Sequence, residues 1–179
     1  MRHVIVGNGP AGVIAAETLR AQRPDDDIIV VGDEPEPPYS RMAIPYLLIG
    51  DIGEDGTHLR KEADHFARLR IALRQSAAER IDTQARSVSL QGGDVLPYDR
   101  LLLATGSSPA DPPIPGIHSP GVLTCWTLAD ARKIAASVKR GRVCCSLVRA
   151  LSAASSWRRL PRAMRRLPLS KWATEYCRE

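Results

Sequence analysis

The 179-residue chain is 44% hydrophobic and 25% charged, a globular balance with length for one domain or one and a half. Its net charge of +5 is unevenly placed: residues 141–179 hold nine Lys/Arg against Glu175 and Glu179, which leaves the first 140 residues slightly acidic. No apolar run is long enough to span a bilayer, Met1-Arg2-His3 leads straight into a strand, and the four cysteines form no CxxC pair, zinc set or disulfide framework; a cytoplasmic protein without a metal site is expected.

The apolar run Val4-Ile5-Val6 ends in Gly7-Asn8-Gly9-Pro10-Ala11-Gly12 and passes at once into Val13-Ile14-Ala15-Ala16-Glu17-Thr18-Leu19. A strand ending in G-x-G-x-x-G and opening a helix is the turn that seats a dinucleotide diphosphate. Gly7 serves the tight turn, Gly9 the approach of backbone N–H groups to phosphate, and Gly12 the close packing of helix on strand. Pro10 and Ala11 complete the diphosphate loop, and the helix N-terminus adds partial positive charge and free donors. A second strand, Ile28-Ile29-Val30-Val31, follows the turn around Pro24. Behind it stand Asp33 and Glu34, about 20 residues past Gly12, where one carboxylate or the other can accept bonds from ribose hydroxyls.

The next stretch, from Glu34 to Leu47, carries Pro35, Pro37, Pro38 and Pro45, too many for an ordinary helix before Tyr46. It is predicted to be a shaped loop running into a short helix. With Pro38, Tyr39 and Arg41 forming P-Y-x-R after the second strand, the chain resembles the FAD-binding half of the pyridine nucleotide-disulfide oxidoreductase superfamily, close to its ferredoxin-reductase-like and nitrite-reductase-large-subunit-like branches. That resemblance implies that this segment lies along the flavin and that Arg41 contacts FAD. Two departures restrict the chemistry. Relatives that use a redox cysteine carry it where Met42 stands here, and a thioether forms no thiolate or disulfide. Ferredoxin-reductase-like members usually carry a lysine beside the flavin a few residues after the arginine, where this sequence has Tyr46. Flavin chemistry is then expected to run by hydride in and electrons out, without a thiol relay.

Residues 51–75 read as a helix followed by a short strand, with His58 and His65 lacking a paired carboxylate or a metal-ligand spacing. Around Ala77–Asp82 the resemblance implies a strand whose backbone meets the adenine, which makes Ala78 a candidate contact. Arg86–Leu90 and Val95–Tyr98 alternate about Gln91-Gly92-Gly93-Asp94, a hairpin signal.

The run Tyr98-Asp99-Arg100-Leu101-Leu102-Leu103-Ala104-Thr105-Gly106-Ser107 reads as a fully buried strand ending where backbone can again approach a nucleotide. It matches the superfamily's second FAD motif, Y-D-x-L-x-x-A-T-G-S, so Ala104, Thr105 and Gly106 are expected on the far side of FAD. Pro112–Gly116 corresponds to the exit toward the NAD(P)H domain. Leu128–Ile134 corresponds to the helix that opens that domain, with Thr127 as its N-cap.

A complete relative would next show a second G-x-G-x-x-G. After Gly141 the chain is instead rich in Arg, Ser, Ala and Cys, with no such fingerprint. Joining the last base of each codon to the first two of the next lets the chain from Val143 read L-L-L-L-G-A-G-F-I-G-C-I-V-M-E-A-L. From about Leu169 the same frame can read V-E-M-G-D-R-I-L-P-R. Both fit the missing nicotinamide-binding unit, so a single-nucleotide frameshift near codons 141–143 is inferred. The competing reading is an evolved basic segment for nucleic acid or an anionic surface, interrupted as a helix by Pro161 and Pro168.

The expected architecture is an incomplete α/β, Rossmann-like FAD-binding domain, a parallel sheet with helices plus a β-hairpin or meander. Residues 1–115 form its N-terminal part, 116–141 the start of an NAD(P)H-binding domain, and 142–179 a poorly ordered basic tail. The resemblance implies an NAD(P)H-dependent flavoprotein oxidoreductase passing electrons through FAD to an acceptor protein or redox domain. No residue has the standing of a catalytic acid, base or nucleophile. The chain alone is expected to be a truncated remnant with little turnover, and to expose apolar surface where the absent segments would pack.

Overall fold

The computed structural model describes residues 1–137 apart from Pro112 and Ile114. The expectations for the basic tail, and for the three cysteines within it, lie outside the described residues. Strand β1 (Arg2–Val6) leads into helix α1 (Pro10–Gln22), which returns the chain to β2 (Asp27–Gly32). A proline-rich loop and a 3-10 turn at Arg41–Ala43 lead into α2 (Ile44–Ile49); a second 3-10 turn at Glu54–Thr57 precedes α3 (His65–Arg68) and β3 (Ile71–Gln75). Then come β4 (Ala78–Asp82), β5 (Ser87–Leu90), β6 (Val95–Pro97), β7 (Arg100–Leu103) and finally α4 (Leu128–Ser137).

The central sheet is parallel in the order β3-β2-β1-β7, and β4-β5-β6 form a separate antiparallel sheet. Side chains alternate across the central sheet, so its two faces fill different cores. Val4, Val6 and Val31 bury against Val88 and Leu90 of the antiparallel sheet. Ile5, Ile28, Val30 and Ile71 bury on the other face against Ala16 of α1. Each of these aliphatic side chains contributes about 1.5–3 kcal/mol on full burial. Three layers result, and the loops at the C-terminal ends of β1, β2 and β7 converge on one edge.

Helix α1 begins where Pro10 presets φ at its first turn and Gly9 is extended, at φ −74° and ψ −175°. Its far end is tied down by Arg20, whose guanidinium donates to the backbone carbonyls of Leu69 (2.7 Å), Pro24 (2.8 Å) and Arg70 (2.8 Å). Thr127 caps α4 as expected: the Asp130 N–H donates to Thr127 Oγ1 at 3.1 Å, while Asp130 Oδ2 accepts from the Thr127 N–H at 3.1 Å. Burial would raise the Asp130 carboxyl, but the backbone donors of Thr127 and Trp126 outweigh it and hold the group below its ordinary value.

Several expectations need correction. The strand Leu101–Leu103 is not fully buried: Leu102 and Leu103 are 41% and 57% exposed, and among the described residues β7 is the last strand of the central sheet, with no further strand or helix covering it on that side. The segment 51–75 holds a 3-10 turn and a four-residue helix in place of one regular helix. Helix α2 starts at Ile44, before Tyr46, because Pro45 falls in its first turn where no N–H is required. His65 does have a carboxylate partner, Glu17 Oε1 at 2.8 Å from Nε2, supplied from α1 and therefore invisible to local spacing. The hairpin across Gln91–Asp94 forms as expected, with Gly92 and Gly93 both at positive φ.

Candidate nucleotide-binding cleft

The C-terminal ends of β1, β2 and β7 open onto a cleft of about 490 Å³. Its position beyond the carboxyl ends of parallel strands is where open α/β sheets place nucleotides. Gly7, Gly9, Pro10, Ala11, Asp33, Glu34, Arg41, Ala78, Ala104, Thr105 and Gly106 all line it. Of the expected contacts only Gly12 is absent from the wall. It lies beneath, where a β-carbon would sit 1.9 Å from the Gly7 carbonyl oxygen, so it sets the packing of the turn.

The floor is built by close backbone approach. Gly7 has φ +116°, and a β-carbon on it would lie 2.1 Å from the Ala104 carbonyl oxygen. The Ala104 N–H donates to the Val6 carbonyl at 2.8 Å and the Gly7 N–H to the Val31 carbonyl at 2.8 Å, which locks three strand ends together. Gly9 has nothing within 4 Å of where its β-carbon would stand, so its backbone faces open space. The first helical bond runs from the Val13 N–H to the Gly9 carbonyl at 3.0 Å. The amides of Ala11 and Gly12 precede it and lack intrahelical acceptors, while Pro10 has no N–H to orphan. An open glycine, two uncommitted amides and a helix N-terminus suit a diphosphate.

The two carboxylates behind β2 differ. Glu34 is committed to the protein: the Tyr39 hydroxyl donates to Oε2 at 2.6 Å, and Arg41 Nη2 donates to Oε1 at 2.6 Å. Asp33 is exposed and has no hydrogen-bond partner among the described residues, which makes it the freer acceptor for a ribose. Arg41 also stacks its guanidinium 5.1 Å above the Trp126 ring, and its Nη1 lies 3.9 Å from a β-carbon built on Gly106. Burial would lower the Arg41 pKa, but its bonds with Glu34 and Tyr39 raise it, so its charge is secure.

Sequence reasoning missed Trp126, Asn8, Ser76 and Ala77 in the wall. Asn8 occupies the variable position of the glycine motif, and its amide fills the space above Gly32, where a β-carbon would lie 2.4 Å from Asn8 Cγ. Trp126 adjoins the capped start of α4 and reaches the cleft only because α4 packs Leu128 and Ala131 against Tyr39 and Ile44. No local pattern announces that contact. Met42 lines the cleft and is 84% exposed. Cys125 lies outside the wall, and partial burial together with Asp130 raises its thiol pKa, the reverse of thiolate activation. No cluster of potential metal ligands occurs among the described residues. No described helix is long and apolar enough to cross a membrane.

A family profile described as pyridine nucleotide-disulphide oxidoreductase matches residues 1–148. The chain belongs to that family. Family members use FAD and NAD(P)H, and a cleft walled by both glycine-bearing strand ends is consistent with that use. The epsilon subunit of the NADH-dependent phenylglyoxylate dehydrogenase of Aromatoleum evansii is 33% identical over 142 residues, covering 79% of this chain and 34% of the relative. The ferredoxin–NAD(+) reductase component of the anthranilate 1,2-dioxygenase system of Burkholderia cepacia is 41% identical over 143 residues, covering 78% and 34%. Among solved structures, putidaredoxin reductase in its covalent complex with putidaredoxin superposes with a TM-score of 0.68 at 33% identity, covering 75% of this chain and 33% of the reductase. The chain therefore spans about a third of the length of the relatives it matches.

Proposed function

We propose that this chain is the FAD-binding part of an NAD(P)H-dependent oxidoreductase that passes electrons from NAD(P)H through FAD to an acceptor. The observation that carries the reading is the junction of Gly7 with Ala104, which brings both glycine-bearing strand ends to one cleft. Bound FAD supplies hydride acceptance and one- or two-electron release. The chain supplies position and charge. The open backbone from Gly9 to Gly12 cradles the diphosphate, Asp33 accepts the ribose hydroxyls, Arg41 lies along one side, Thr105 and Gly106 bound the other, and Ala78 flanks the adenine.

The acceptor is a small redox protein or an attached redox domain, a reading supported by the ferredoxin-reductase names of several relatives. On its own this polypeptide has little turnover, because residues 142–179 carry no second G-x-G-x-x-G, and codons compatible with that stretch can spell one in a shifted frame from Val143 onward. Sequencing the gene tests the frame directly: an early stop in the shifted frame, or no nicotinamide-binding unit downstream, removes that account. For the protein, titration with FAD followed by anaerobic addition of NADH is decisive. Saturable FAD binding with slow bleaching is expected. Bleaching at catalytic rates would overturn the low-turnover reading, and absence of FAD binding would overturn the assignment of the cleft.

A further inference from the structure

We propose that Tyr39 is a positioning residue coupling the seating of α4 to the Glu34–Arg41 pair in the cleft, so that nucleotide binding tightens α4 and release of α4 weakens nucleotide binding. This rests on the reading of the cleft as an FAD site. Tyr39 is only 6% exposed, with its ring packed among Ile44, Leu128 and Ala131. Its hydroxyl faces two ways at once: it donates to Glu34 Oε2 at 2.6 Å and accepts from the Leu128 N–H at 3.2 Å. Leu128 is the first residue of α4, so its amide has no acceptor within the helix and Tyr39 satisfies it.

The contacts close into a circuit. Glu34 holds Arg41 with its other oxygen, Arg41 lies over Trp126, and Trp126 is two residues from the amide that Tyr39 receives. A carboxylate at one end of a hydrogen-bond chain polarises the phenol and strengthens its hold on the amide at the other. Burial and Glu34 raise the Tyr39 pKa, so the hydroxyl remains a donor across the ordinary pH range. A nucleotide that contacts Arg41 acts on Glu34, hence on Tyr39 and α4. Linkage makes the effect reciprocal: α4 seated on Tyr39 holds Arg41 and Trp126 in the arrangement that faces the cleft.

The test follows hydrogen exchange at the Leu128 amide in the full chain, with and without FAD, in wild type, Tyr39→Phe and Glu34→Gln, alongside FAD affinity from quenching of flavin fluorescence. Phe keeps the buried ring, and circular dichroism checks that both variants fold. Exchange at Leu128 is expected to be about three- to tenfold faster in Tyr39→Phe, the worth of one hydrogen bond. It should also be faster in Glu34→Gln, although Glu34 does not touch α4, and this is a response that simple packing by Tyr39 would not produce. FAD should slow that exchange in wild type and not in Tyr39→Phe, whose FAD affinity falls by a similar factor. Unchanged Leu128 exchange in both variants, or FAD binding that leaves wild-type exchange unaltered, overturns the proposal. If wild type binds no FAD while both variants still speed the exchange, the flavin assignment fails and the Tyr39 relay stands.

Discussion

Gly7 and Ala104 approach so closely that no side chain fits between them: a β-carbon on Gly7 would stand 2.1 Å from the Ala104 carbonyl oxygen. The same residue holds φ +116°, which L side chains rarely adopt. Gly7→Ala is therefore expected to destabilise the fold by about 2–4 kcal/mol, combining backbone strain with displacement of β7. Gly9→Ala meets nothing within 4 Å and has an ordinary φ of −74°, so stability should hold while FAD affinity falls. Urea unfolding and FAD titration of the two variants check the contrast; equal stability losses would contradict it.

Asp33 and Glu34 are neighbours with different duties. Asp33→Asn removes the uncommitted carboxylate and is expected to weaken FAD binding about tenfold or more, near 1.4 kcal/mol, with little change in unfolding. Glu34→Gln disturbs the bonds to Tyr39 and Arg41 and should lower both affinity and stability. Parallel titrations and thermal melts separate the two roles.

Glu17 on α1 accepts from Arg60 Nε at 2.7 Å and pairs with His65 at 2.8 Å. The Arg60 bond chiefly, and His65 secondarily, holds its carboxyl below the ordinary Glu value. A carboxylate depressed in the folded state contributes stability above its unfolded pKa, about 4.3, and loses that contribution as pH falls through the lower folded value. Glu17→Gln is expected to cost about 2 kcal/mol at neutral pH and to flatten the acid limb of the stability curve. Denaturant midpoints measured from pH 7 down to pH 3 decide this; parallel wild-type and variant curves would exclude it.

Arg132 on α4 reaches Glu36 of the proline-rich loop at 2.6 Å and Glu54, at the start of the second 3-10 turn, at 2.8 Å. Arg132 and Glu54 are 48% and 45% exposed at their side chains and only Glu36, at 10%, is largely covered, so salt should weaken the pairs and Arg132→Ala should change global stability only modestly. The expected effect is local: faster hydrogen exchange across α4 and quicker proteolysis between Gly116 and Trp126, with the difference shrinking at high salt. Identical exchange in the variant at low salt would show that the pairs hold nothing.

Leu102 and Leu103 on edge strand β7 stand 41% and 57% exposed. Replacing both with Thr removes apolar surface without emptying a core, so stability should move by less than about 0.5 kcal/mol. Self-association and binding of a hydrophobic dye should both fall. Unchanged light scattering and dye binding would show that these two side chains do not drive association.

Local chemistry in the sequence determined the strands, the glycine turn that opens α1, the hairpin at Gln91–Asp94 and the cap at Thr127. Each depends on neighbours in the chain: alternating apolar residues, glycines at positive φ, a hydroxyl three residues before a free amide. Two glycine motifs in order also marked most of the cleft wall. Only the tertiary structure decided which carboxylate is free, because the partners of Glu34 arrive from a loop whose path the prolines bend but do not specify. It likewise paired His65 with Glu17, carried Trp126 into the cleft beside α4, and left Leu102 and Leu103 partly exposed. Periodicity records which side chains are apolar or polar; what each of them meets is settled by how distant segments pack.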